Sequence, residues 1–474
     1  MHTFDYLINI HRRPLAIGVR QAWWAWNAES KSSTRYPGDL RLRLVSRAFN
    51  LAVLRVFFKY DGVKFLAYRE NMLQRLEEHI LHDGNRGWDI GEAVRKLDVV
   101  LGTERYRPFS IFDKDHEPKY AGRDDEAETL KKGSHDLKIL LEKRTLSRLV
   151  QRMPRLESLI VHLPEEWRSE CPDEVDDYDS EDDEGQYGEQ YDLDLLHALR
   201  SDIASIFSAA ATPLPSPDPM FPPNPLNHLT YLRLTLPCAY DIAHIASCVP
   251  SSVASRLRHL YLEIIDGTGP CGDLEYTRYG DMSDDDGDGC LYSNLQHKHP
   301  NETHFPALCT FVSRCTHLSS LALVGTQCID LATLVWRPET PGLQNVFLSR
   351  VTCTAELLIS LLSPPSGEPS APGAAPGFSP IETLQLENVR LWSGTWKSVF
   401  EHLTSAAQHL MHIRVYNVIY DPWGESGHLE ERNGRPWENV DVVWTEDEGE
   451  RKSLAKVIRG VQEGGWEVEE YMRW

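Results

Sequence analysis

His317-Leu318-Ser319-Ser320-Leu321-Ala322-Leu323-Val324-Gly325 is the stretch on which the fold turns. A leucine is followed after two residues by a second, and after one more by a third. Residues two apart on a strand point to the same side, so Leu321 and Leu323 face one way and Ala322 the other. Leu318 falls at the turn into the strand, where it fills the space beneath it. The same spacing recurs as Leu156-Leu159-Val161, Leu229-Leu232-Leu234 and Leu257-Leu260-Leu262, and after the quoted stretch as Leu343-Val346-Leu348, Ile381-Leu384-Leu386 and Leu410-Ile413-Val415. One such unit cannot bury its own apolar face, but stacked units share a continuous core. Helical patterns lie between the copies, at residues 307–317, 354–362 and 396–409. Strand and helix in alternation give an α/β fold: an irregular solenoid with a parallel sheet. Leu321, Leu323, Leu384, Leu386, Ile413 and Val415 are expected in the core. Ala322, Gln385 and Arg414 are expected on the opposite, concave face, with Gln385 and Arg414 as partner-binding residues.

Successive copies start 73, 28, 61, 25, 38 and 29 residues apart. The long gaps hold segments of different composition. Residues 165–192 carry fourteen acids and one arginine, residues 273–288 carry seven acids and one arginine, and residues 213–225 and 364–376 are rich in proline. Each has too little apolar surface to offset the entropy of ordering, so disorder is expected at 165–192, 213–225, 273–289 and 364–376. Without them the period falls near the roughly 20–29 residues of leucine-rich repeats. Those repeats usually carry Asn or Cys three residues after the last aliphatic position. Here that position holds Pro164, Pro237, Ile265, Thr326, Val351, Val389 and Val418, so the usual Asn ladder is not expected.

The whole chain has 474 residues and a formal charge of −22, with much of the acidity in those insertions. An acidic surface repels phosphate backbones, so nucleic acid is not an expected partner. No run of 18 apolar residues is present, so no membrane span is expected. The nine cysteines form no CxxC pair and no dense framework, and a reduced compartment, cytoplasmic or nuclear, follows. Residues 1–66 mix apolar and basic residues, residues 70–102 read as helices broken at Gly84 and Gly87, and residues 124–153 read as an amphipathic helical stretch. An all-helical N-terminal region is therefore expected, divided at 1–66 and 67–153. The repeats fill 154–425, and 426–474 form a C-terminal cap.

The segment Pro37-Gly38-Asp39-Leu40-Arg41-Leu42-Arg43-Leu44-Val45-Ser46-Arg47-Ala48-Phe49-Asn50 resembles the second half of an F-box, with Leu54, Phe57 and Phe58 continuing a helix and Val63 and Phe65 the strand that often follows. The first half differs: in place of an opening Leu-Pro stand Leu15-Ala16-Ile17-Gly18-Val19 and then Trp23, Trp24 and Trp26. An F-box followed by degenerate repeats is similar to the F-box/leucine-rich-repeat proteins of filamentous fungi. The resemblance implies a substrate-recognition subunit of an SCF-type ubiquitin ligase. A Skp1-like adaptor would meet Leu40, Leu42, Leu44, Val45 and Phe49, and the repeats would select an as yet unknown protein substrate.

Other motifs do not carry chemistry in context. Gly267 to Gly272 spell GxGxxG, but residues 273–289 have no helical periodicity to hold a pyrophosphate. Asp284, Asp286, Asp288 and Gly289 match the start of a calcium loop, yet position twelve, where a bidentate Glu belongs, is Leu295. His297, His299, His304, Cys309, Cys315 and His317 lack the paired spacing of a zinc site. No GxSxG, HExxH or P-loop is present, so no cofactor or metal is expected, and the role expected is protein–protein interaction without enzymatic activity; an interaction scaffold that binds no adaptor is the first alternative, and an enzyme whose site no motif marks is the second.

Overall fold

The computed structural model describes residues 63–66, 91, 93–100, 141–162, 193–211, 226–265, 294–337, 342–364, 379–420 and 448–463. The elements in chain order are β1 (Val63–Leu66), β2 (Lys96–Val100), α1 (Thr145–Gln151), β3 (Ser158–His162), α2 (Leu193–Ala211), β4 (Tyr231–Leu236), α3 (Ala239–Cys248), α4 (Ser251–Ala254) and β5 (His259–Ile264). They continue with α5 (Asn294–Lys298), α6 (Asn301–Arg314), β6 (Ser320–Asp330), β7 (Asn345–Thr354), α7 (Ala355–Leu362), β8 (Thr383–Glu387), β9 (Arg390–Ser393), α8 (Trp396–Ala406), β10 (His412–Tyr416), β11 (Ile419–Tyr420) and α9 (Glu448–Glu463).

The strands form one parallel sheet in the order β1-β2-β3-β4-β5-β6-β7-β8-β10, each main strand beside its predecessor. Every copy of the repeat supplies one of these strands, in the same register. Leu159, Leu232, Leu260, Leu321, Val346, Leu384 and Ile413 align across the sheet, and so do Val161, Leu234, Leu262, Leu323, Leu348, Leu386 and Val415. The leading residue of each copy is buried just before its strand. The backbone repeats with it. The carbonyls of Arg95, Glu157, Thr230, Arg258, Ser319, Gln344 and Glu382 each accept two N–H groups from the start of the next strand. The helices pack over the leucine face, and their apolar residues join those of the strands in one core.

Three expectations change. The N-terminal region is not all-helical: β1 and β2 belong to the sheet, paired Val63↔Leu97 and Phe65↔Val99. Val94, Leu97 and Val99 are a further copy of the repeat, fully buried, so the strand pattern begins upstream of residue 154 and the helical reading of 70–102 fails over 96–100. The alternation in Lys96-Leu97-Asp98-Val99 favours a strand once β3 offers its edge. The second change is at Val415, which is only half-buried, because β10 ends the main strand order. The third is at the exit of the strands. Arg350, Asn388 and Asn417, each two residues after a last aliphatic, take left-handed backbone with φ of 54°, 52° and 45°. Val351, Val389 and Val418 follow and plug inward. The chain then runs into a short second parallel tier, in which the end of β7 pairs with β9 and β9 with β11. Among the described residues no ladder forms at the usual position. One residue earlier, however, Asn417 Nδ2 donates to Asn388 Oδ1 at 2.6 Å.

The acidic and proline-rich insertions at 165–192, 213–225, 273–289 and, but for Pro364, 364–376 lie outside the described residues, as do the GxGxxG motif and Asp284 to Gly289 of the calcium-loop motif.

Candidate recognition surface

Alternation leaves the residues between the leucines on the face of the sheet away from the helices, and the register lines them up in rows. One row reads Lys96, Ser158, Tyr231, His259, Ser320, Asn345, Thr383, His412 from β2 to β10. The next reads Asp98, Ile160, Arg233, Tyr261, Ala322, Phe347, Gln385, Arg414. Beyond it, Thr235, Glu263, Val324, Ser349, Glu387 and Tyr416 align from β4 to β10.

Strands of a parallel sheet lie about 4.8 Å apart, so neighbours in a row touch. Arg233 lies over the Tyr261 ring at 4.0 Å and pairs with Glu263 at 3.5 Å. Thr235 donates to the same carboxylate at 2.9 Å. Asp98 faces His162 at 3.5 Å, and Arg414 faces Glu387 at 3.3 Å. His259 Nδ1 bonds Ser320 Oγ at 2.9 Å, and Asn345 donates to that hydroxyl at 3.1 Å. Burial, with Arg258 close by, holds His259 below the usual imidazole range, so it is neutral at pH 7. The middle of the face is apolar: Tyr261, Ala322 and Phe347 are adjacent, with Val324 in the next row. An apolar centre flanked by paired charges has the composition of an interface core and rim.

Gln385 and Arg414, expected on this face, are on it. They are less open than a partner-binding residue was expected to be. Gln385 is 8% exposed and lies 3.3 Å from His412 Nε2, while Arg414 is engaged with Glu387. Ala322 is fully buried beneath its neighbours. Tyr261, Glu263 and Phe347 near the centre of the face and Arg233 on the adjoining strand are half-buried, as Arg414 is, whereas Ala322 and Gln385 are buried, a difference that spacing alone could not show. The adaptor-binding candidates Leu40, Leu42, Leu44, Val45 and Phe49 lie outside the described residues.

The structure separates the histidine–cysteine group. Cys309 and Cys315 are in the core, with thiols pushed up by burial to about 11 and about 12, beyond use as thiolates. Cys353, in β7, is pushed up to about 12 in the same way. His299 instead stacks on Tyr240 of α3 at 3.9 Å, and His304 tilts against the same ring at 4.9 Å. Arg200 covers Tyr240 at 4.5 Å and bonds Asp241 at 2.7 Å. Leu295, where the calcium motif wants Glu, is buried in α5. Among the described residues no group of three or more potential ligands is arranged to hold a metal ion, and no helix is long and apolar enough to cross a membrane.

No family model matches the chain, and no curated protein is significantly similar to it.

Proposed function

We propose that this chain is an irregular leucine-rich-repeat-like solenoid that recognises another protein through the polar face of its sheet, as the substrate receptor of an SCF-type ubiquitin ligase. The observation that carries the recognition role is the unbroken parallel order of the strands. It converts the alternation of each copy into continuous rows of side chains with an apolar centre and charged ends. Such extended surfaces are what stacked repeats typically present to partners. The ligase assignment rests on the F-box-like residues 37–58, whose Leu40, Leu42, Leu44, Val45 and Phe49 would meet a Skp1-like adaptor. In this reading the chemistry of ubiquitin transfer belongs to other subunits.

Co-purification of the full chain with a Skp1-like adaptor tests the ligase assignment. The expected result is a stoichiometric complex that Leu44→Asp with Val45→Asp abolishes, while the circular dichroism spectrum is unchanged. A full chain that binds no adaptor overturns the ligase assignment and leaves an interaction scaffold.

A further inference from the structure

The α1–α2 corner holds a cleft of about 400 Å³ lined by Lys143, Arg144, Ser147, Arg148, Gln151, Ser205 and Ser208. The lining is three cations, three hydroxyls and one amide, without a carboxylate. That is an unusual concentration in a chain with 71 acids against 49 basic residues. Among the described residues Lys143, Arg144 and Arg148 make no ion pair. The nearby acid, Asp202, is turned inward. Its two carboxylate oxygens accept the N–H groups of Leu146 at 3.0 Å and Ser147 at 3.1 Å, and it is almost wholly buried. The fold itself assembles the cleft. Arg144 takes left-handed backbone, φ 53°, in the turn before α1, and α2 brings Ser205 and Ser208 from more than fifty residues away.

We propose that this cleft binds a phosphate monoester group. Lysine and arginine supply charge and a forked set of donors matched to tetrahedral oxygens, while Ser205 donates its hydroxyl to the Asp202 carbonyl at 2.6 Å and forms part of the wall. The volume exceeds that of phosphate alone and leaves room for the first atoms of the carrier, within the range usual for small-ligand sites. A nucleic-acid backbone is disfavoured as carrier, because a chain with a net charge of −22 repels a long polyanion. This proposal does not rest on the sheet face or on the adaptor.

Calorimetric titration of the full chain with O-phosphoserine at fixed ionic strength tests it, with serine and chloride as controls. Saturable binding of O-phosphoserine is expected, with serine at least tenfold weaker. Arg144→Ala with Arg148→Ala should weaken it tenfold or more. Because Arg144 occupies a special backbone conformation, Lys143→Glu with Arg148→Glu provides a second test at exposed positions, and unchanged circular dichroism shows that each variant folds. Inorganic phosphate, added as competitor, should displace O-phosphoserine. Absence of saturable binding, equal displacement by chloride, or binding that both folded double variants retain would overturn the proposal.

Discussion

Leu384 shows how a single side chain feels the whole stack. It is fully buried, with Val346 of β7 on one flank and Ile413 of β10 on the other. Replacing it with Ala removes contacts on both sides and leaves a cavity, so Leu384→Ala is expected to cost about 2–5 kcal/mol in chemical denaturation. Half-buried Val415, near the sheet edge, should lose less on the same truncation. The histidines around Tyr240 make a different prediction at this scale. Burial and the Arg200 charge hold His244 and His299 below the usual imidazole range, and burial does the same for His304. The groups facing them are His197 and Arg200 of α2, Asp241 of α3 and Lys298 of α5. The unfolded chain therefore takes up protons before the folded one as pH falls. The stability contributed by these neutral rings is full above about pH 6.5 and is lost as pH drops through the unfolded value. Melting temperature should fall between pH 7.5 and 5.5, and His299→Gln with His304→Gln should flatten that slope. An unaltered slope in the double variant would show that the cluster does not govern it.

Among the elements, α1 depends on a residue outside itself. Its preceding residue, Arg144, makes no side-chain capping bond, and Asp202 of α2 supplies the acceptors instead. Removing them strands two buried N–H groups, so Asp202→Ala should cost about 1–3 kcal/mol. Burial nonetheless pushes the Asp202 carboxyl up to about 6, against the pull of its amide partners and Arg144. The sign is opposite to that of the histidines. The folded state takes up this proton first, so the charged carboxylate is costly above about pH 6, and the cost fades as pH falls toward the unfolded value. Relative to Asp202→Asn, the unmodified protein should gain stability on moving from pH 7 to pH 5, read from paired thermal melts. α7 and α8, by contrast, carry their own caps: Thr354 accepts from Leu357 N–H and Thr395 from Ser398 N–H.

For the whole molecule, stacked repeats gain stability from their neighbours and need covered ends. α9 closes the C-terminal end. Leu454, Val457 and Val461 bury one face of it, and it packs on α8. Glu450, also buried, accepts from the Tyr420 hydroxyl and the Lys397 N–H, tying α9 to β11 and the start of α8. Trp396 donates its indole N–H to the Ile419 carbonyl in the same corner. Ending the chain at residue 440 should therefore lower the melting temperature by several degrees and promote association, seen by light scattering. A truncated chain that melts and scatters like the full one would show that α9 is not a cap.

The strands of the repeats were legible because their spacing is local: one leucine, two residues, then two aliphatics in alternation dictate which side chains share a face. The helices at α6, α7 and α8 were legible for the same reason. The copy Val94-Leu97-Val99 was hidden by its leading valine and by the helix-like sequence before it. Only the edge offered by β3 decides that this segment is a strand. The Asn388–Asn417 bond was equally invisible, since it depends on two turns stacking in register. Gln385 and Arg414 were placed on the correct face, but alternation says nothing of how deeply a face is packed, and their neighbours on β8 and β10 engage them. The Tyr240 cluster and the basic α1–α2 cleft each draw on elements separated by long insertions. The amino-acid sequence by itself determined the strand-and-helix unit and the face that each side chain occupies, because φ and ψ periodicities act over a few residues. The stacking of those units decided which polar residues meet, because contacts between distant segments depend on register and burial.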